Sequence, residues 1–99
     1  MAKKTFKIGE YAKGGVISVE TTKTKVTIIN REWDFSKGSN RGSSQSNAPE
    51  IDRITVNVSQ SDAENILLDY LEDLTTSYYA GQIMDWIKES VTFHQYRGW

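Results

Sequence analysis

Apolar and polar side chains alternate through the first third of the chain. In KTFKIGEYA, Phe6 and Ile8 interleave with Thr5 and Lys7, the period of a strand with one buried face. Gly14 and Gly15 permit a tight turn before VISVE, where Ile17 and Val19 oppose Val16, Ser18 and Glu20. TTKT makes a polar reversal into KVTIINREWD. In that third strand Val26, Ile28 and Asn30 point one way and Thr27, Ile29, Arg31 and Trp33 the other. Apolar residues on both faces fit a bent strand shared between two sides of a barrel, or one covered by a helix.

The alternation stops at Phe35. From there to Glu50 the chain reads FSKGSNRGSSQSNAPE, rich in Ser, Gly and Asn, with the only proline, and predicts a long flexible loop. IDRITVNVS predicts a fourth strand with Ile54, Val56 and Val58 inward. Ser61 and Glu64 have the spacing of a capping box, and Leu67, Tyr70, Leu71 and Leu74 follow at helical spacing. The triplet Thr75, Thr76, Ser77 predicts a break, because these side chains compete for local backbone hydrogen bonds. A second helix is expected from about Tyr78 to Ser90, burying Tyr79, Ile83, Trp86 and Ile87. VTFHQY restores alternation and predicts a short fifth strand.

The predicted class is therefore α+β: a small, strongly bent five-stranded antiparallel sheet or barrel with two late helices. Ninety-nine residues allow one modest core and a single domain over 1–99. Without cysteine there are no disulfides and no thiolate metal sites, so packing or association must supplement that core. The apolar runs fall far short of a membrane span and the first residues lead into no signal-peptide core, so a cytoplasmic location is the expectation.

Net charge is −1, but it is unevenly divided. Residues 1–47 carry nine basic and four acidic side chains, and residues 48–99 three basic and nine acidic. If the halves fold onto different faces, one face attracts phosphate and the other repels it. The alternative is solvated lysine and arginine on exposed strand positions, paired with acidic helices.

Catalytic constellations are thin. His94 is the only histidine, which excludes histidine-clustered metal sites and leaves any nucleophile triad to be built around one residue. Asp62, Asp69 and Asp73 recur at the period of a solvated helix face rather than as an acid–base pair. Gly14 with Gly15, and Gly38 with Gly42, lack both the phosphate-loop and the dinucleotide spacing. No enzyme activity and no cofactor are expected.

The grouping with more chemistry is Arg31, Trp33, Phe35, Lys37 and Arg41, which interleaves cations with aromatic rings. Cations neutralise phosphates and exposed rings stack unpaired bases, each stacked base contributing about 1–3 kcal/mol. Packing is the competing role for Trp33 and Phe35, since a small domain needs its large aromatics in the core.

KIGEYA, GGVISVE, KVTIINREWD, IDRITVNVS and VTFHQY, taken as a series of short bent strands, resemble the Sm and LSm small-barrel family, and more narrowly its members of marine cyanophage type. GGVISVETTKTKVTIINREWD is similar in layout to the family's first conserved half, with Asp34 near the place of its acidic residue. Arg97 and Gly98 are similar to the Arg-Gly pair of its second half, but the chain ends at Trp99 without the strand expected to follow. The family's leading helix and the Asn after its acidic residue are also missing, and two helices come late instead. The resemblance implies a five-stranded barrel, a ring-shaped homo-oligomer joined through edge strands, nucleic acid held by loops near the pore, and host cytoplasm if the chain is phage-encoded.

Two functions follow as expectations. The first is a non-catalytic module for single-stranded RNA or DNA, contacted by Arg31, Trp33, Phe35, Lys37 and Arg41. The second is a protein-interaction or assembly protein, for example a small phage inhibitor, whose acidic helices engage a basic partner.

Overall fold

The computed structural model describes residues 2–32 and 49–91, except the side chain of Glu10. Four strands, β1 (Ala2–Lys7), β2 (Gly15–Thr21), β3 (Lys25–Glu32) and β4 (Glu50–Asn57), precede two helices, α1 (Ala63–Leu74) and α2 (Ser77–Ser90). The strands form one antiparallel sheet in the order β1-β2-β3-β4.

Short connections set this order. Between β1 and β2 a single 3-10 turn, Gly9–Tyr11, is closed by Ile8 N–H donating to Gly15 O at 3.0 Å, with Gly9 and Gly15 at φ of 64° and 95°. Those backbone angles suit glycine because it lacks a Cβ. Between β2 and β3 the Thr22 hydroxyl accepts from the amides of Thr24 and Lys25 at 3.2 and 3.0 Å. After β4, the Asn57 side-chain oxygen accepts from Ser59 N–H at 3.0 Å and turns the chain toward α1.

The predicted parity of β2 and β3 holds. Ile17, Val19, Val26, Ile28, Val56 and Val58 meet Leu67, Leu71, Leu74, Ala80, Ile83 and Ile87 in one buried core. Each such valine, leucine or isoleucine contributes about 1.5–3 kcal/mol on full burial. The break between the helices falls where expected: Thr75 ends α1, and the Thr76 hydroxyl caps α2 by accepting from Tyr79 N–H at 3.3 Å.

Three expectations need correction. The described strands form an open sheet rather than a closed barrel, with β1 and β4 as its edges. Its apolar face is covered by the helices instead of by the sheet curling onto itself. The fifth strand expected at VTFHQY lies, beyond Val91, outside the described residues, as do the loop at 35–48 and His94.

The capping box does not form. Asp62 is the first flanking residue of α1 and makes no side-chain cap bond; its carboxylate accepts from Gln60 Nε2 at 3.0 Å, while Glu64 pairs with Lys88 of α2 at 3.3 Å. Finally, α2 buries Ala80 and Met84 beside Ile83 and Ile87, leaving Tyr79 and Trp86 half-buried. Trp86 instead meets Phe6 edge-on at 6.3 Å, closing the core at the β1 edge.

Candidate nucleic-acid interface

Because side chains alternate along a strand, the residues between the core positions share the sheet face opposite the helices. Registered across the four strands, they form rows: Lys7, Val16, Arg31 and Glu50; Thr5, Ser18, Ile29 and Arg53; Lys3, Glu20, Thr27 and Thr55. Lys25 extends the face beyond the last row.

Five cations, Lys3, Lys7, Lys25, Arg31 and Arg53, thus share this face with two carboxylates, Glu20 and Glu50. On the other side of the sheet, α1 and α2 carry six carboxylates and one lysine. Cations thus predominate on the outer sheet face and carboxylates on the helices.

Arg31 sits centrally. Its Nε donates to the Ser18 hydroxyl at 3.0 Å, and the two residues line a hollow of about 100 Å³ with Lys3, Lys4, Thr5 and Glu20. Val16, Ile29 and Ser18, registered on the same face, are buried. The Thr27 and Thr55 hydroxyls meet across β3 and β4 at 3.0 Å. At one corner Arg53 clamps Glu50 with two bonds, Nε at 2.8 Å and Nη2 at 2.6 Å. The Arg53 hydrogen bonds hold the Glu50 carboxyl below its ordinary value, and Glu50 in turn raises Arg53. The charge of Arg53 is thus answered within the face by Glu50.

Of the five residues expected to form the contact set, only Arg31 is described; Trp33, Phe35, Lys37 and Arg41 lie outside the described residues. Lys3, Lys7, Lys25 and Arg53 join Arg31 on its face although the sequence reading did not group them with it. The signal for them was the strand parity itself, applied to the polar positions rather than to the apolar ones.

Among the described residues no three His, Cys, Asp or Glu side chains are grouped to hold a metal ion, and no helix is long and apolar enough to cross a membrane. Compared with protein-family models, with curated proteins and with solved structures, the chain matches none.

Proposed function

We propose that the chain is a non-catalytic nucleic-acid-binding module that seats a single-stranded RNA or DNA backbone on the sheet face opposite the helices. The observation that carries this reading is the charge polarity: five cations against two carboxylates on one face, and six carboxylates against one lysine on the helices. Such a distribution orients a polyanion toward the sheet and away from the helices. Trp33, Phe35, Lys37 and Arg41 follow directly on β3 in sequence and extend the contact set from Arg31, the cations to phosphates and the rings to bases.

In this reading the module works as a ring-like homo-oligomer of Sm-like type. Among the described strands β1 and β4 are the edges of the sheet, where a neighbour could pair, and their charges are complementary: β1 bears Lys3, Lys4 and Lys7, and β4 bears Glu50 and Asp52 beside Arg53. Light scattering at micromolar concentration tests the assembly, and a monomer mass rejects it.

Titration of a labelled single-stranded oligonucleotide at several salt concentrations tests the binding. Two phosphate contacts account for about 1.4 in the slope of log K against log salt for a single strand. The double substitution Lys3→Ala with Lys7→Ala is expected to flatten the slope by that amount and to leave the denaturation curve in place. Absence of binding by the wild type at low salt rejects the proposal.

The acidic helices favour a second reading, a protein-interaction surface for a basic partner. Asp69, Glu72, Asp73, Asp85 and Glu89 are all exposed, and Lys88 of α2 pairs with Glu64 of α1.

A further inference from the structure

Two of the three large apolar or aromatic side chains exposed among the described residues lie at one place. Tyr11 is 51% exposed and Tyr78 68%, and both rings adjoin Tyr79. The Tyr11 and Tyr79 centroids are 5.7 Å apart with planes inclined at 36°; Tyr78 and Tyr79 are 5.1 Å apart, edge to face at 77°.

The cluster stands where the β1–β2 connection crosses the helix junction, and backbone bonds fix it there. The Thr75 hydroxyl donates to the Tyr11 carbonyl, Ala12 bridges Thr75, and Lys13 N–H donates to Leu74 O at 2.7 Å. Beside it opens a cleft of about 460 Å³ lined by Tyr11, Lys13, Asp73, Thr75 and Thr76 among others.

Rings held on a fixed backbone and left open to solvent do little for the core, whereas they offer π faces and hydroxyls to an incoming group. The occupant follows from charge. The lining holds one base, Lys13, and one carboxylate, Asp73, and the last six residues of α1, which end at the cleft, carry Asp69 and Glu72 besides Asp73. An aromatic cluster beside a carboxylate on an acidic surface attracts a cation, which the ring quadrupoles and the carboxylate hold together.

We infer that the Tyr11, Tyr78 and Tyr79 cluster with Asp73 docks an arginine- or lysine-bearing segment of a partner protein. This rests on the second reading above and gives it a site.

The test is a titration of the full chain with a short acetylated and amidated peptide of alternating glycine and arginine, followed by the tyrosine ring-proton resonances. A lysine version and a glutamate version run alongside. Saturable shifts of the Tyr11, Tyr78 and Tyr79 rings are expected with both basic peptides and not with the acidic one. Tyr78→Ala and Tyr11→Ala should each weaken binding by about two- to thirtyfold, the range of exposed to desolvated cation–π contacts. Tyr78→Phe keeps the ring and should restore most of the affinity.

Binding that ignores both alanine substitutions overturns the site and leaves the acidic-surface reading standing. Absence of binding by any basic peptide overturns both. Ring shifts that grow with protein concentration in the absence of peptide assign the cluster to a second copy of the chain and overturn the partner proposed here.

Discussion

Arg31 and Ser18 are joined across β2 and β3 by a bond of 3.0 Å from guanidinium Nε to hydroxyl oxygen, with Ser18 only 6% exposed. A nearly buried acceptor orients a half-buried cation, so Ser18 sets where the Arg31 charge stands. Ser18→Ala is expected to cost about 1 kcal/mol of stability, the net worth of one such bond, and to weaken oligonucleotide binding without removing any charge. Because the two residues act through a shared bond, Ser18→Ala with Arg31→Ala should cost less than the sum of the single losses. Chemical denaturation of the four proteins checks this, and strict additivity would show that the bond does not couple them.

Much of this arrangement was legible as alternation. Ile17, Val19, Val26 and Ile28 repeat at a period of two, and a one-residue slip would turn all four to the wrong face, so register and pattern agree. The helix break at Thr75 and Thr76 was readable for a similar reason, since hydroxyl side chains cap better than they continue a helix. Closure into a barrel was not readable. Whether a twisted sheet curls or is covered depends on where α1 and α2 dock, a long-range matter that no local window contains. The capping box expected of Ser61 and Glu64 failed because Asp62, not Ser61, flanks the first turn of α1, and Glu64 pairs with the distant Lys88 of α2. At the site, the cation–aromatic interleaving from Arg31 to Arg41 drew attention along the chain, whereas Lys3, Lys7 and Arg53 reach Arg31's face through strand pairing. The Tyr11, Tyr78 and Tyr79 cluster was likewise invisible, because Tyr11 reaches Tyr79 only through the fold.

Gly14 tolerates no side chain. A Cβ placed there would lie 2.8 Å from both the Asn30 side-chain oxygen and Ile51 Cδ1, and still closer to the Arg31 carbonyl. The carbonyl belongs to the paired central strand β3 and cannot swing aside as a flexible side chain would. Gly14→Ala is therefore expected to destabilise the protein by about 1–3 kcal/mol, the range for overpacking. The control is Gly81→Ala in α2, where an added Cβ meets nothing within 4 Å; it should stabilise by roughly 0.5–1 kcal/mol through helix propensity. Thermal denaturation of both variants checks the contrast, and equal midpoints would contradict the close approach.

Asn30 occupies a core position on β3, is 2% exposed, and its side-chain oxygen has no hydrogen-bond partner among the described residues. A buried acceptor left unmatched costs about 1–3 kcal/mol, while an apolar group of the same shape avoids that cost. Asn30→Leu is thus expected to raise the denaturation midpoint, and Asn30→Asp to lower it by burying a charge. A lowered midpoint for Asn30→Leu would show that the amide is needed where it stands.

Tyr70 predicts how stability responds to alkali. Its hydroxyl donates to Asp52 Oδ2 at 3.1 Å, linking α1 to β4. Burial first, then the hydrogen bond to the Asp52 carboxylate and its charge, push the phenol up to about 12. In the unfolded chain the same phenol ionises near pH 10. Between those values the unfolded state has given up a proton that the folded state still holds, so the unfolded state binds fewer protons and stability falls as pH rises. The stabilisation from neutral Tyr70 is fully present below about pH 10 and is lost progressively toward pH 12. Denaturation midpoints measured through this window should decline less steeply for Tyr70→Phe than for the wild type, since phenylalanine has no proton to lose. The phenolate absorbance of the folded wild type should show one tyrosine titrating late, and that late step should vanish in Tyr70→Phe. Identical titration curves for the two proteins, after allowing for one tyrosine fewer at ordinary pH, would contradict the Tyr70–Asp52 link.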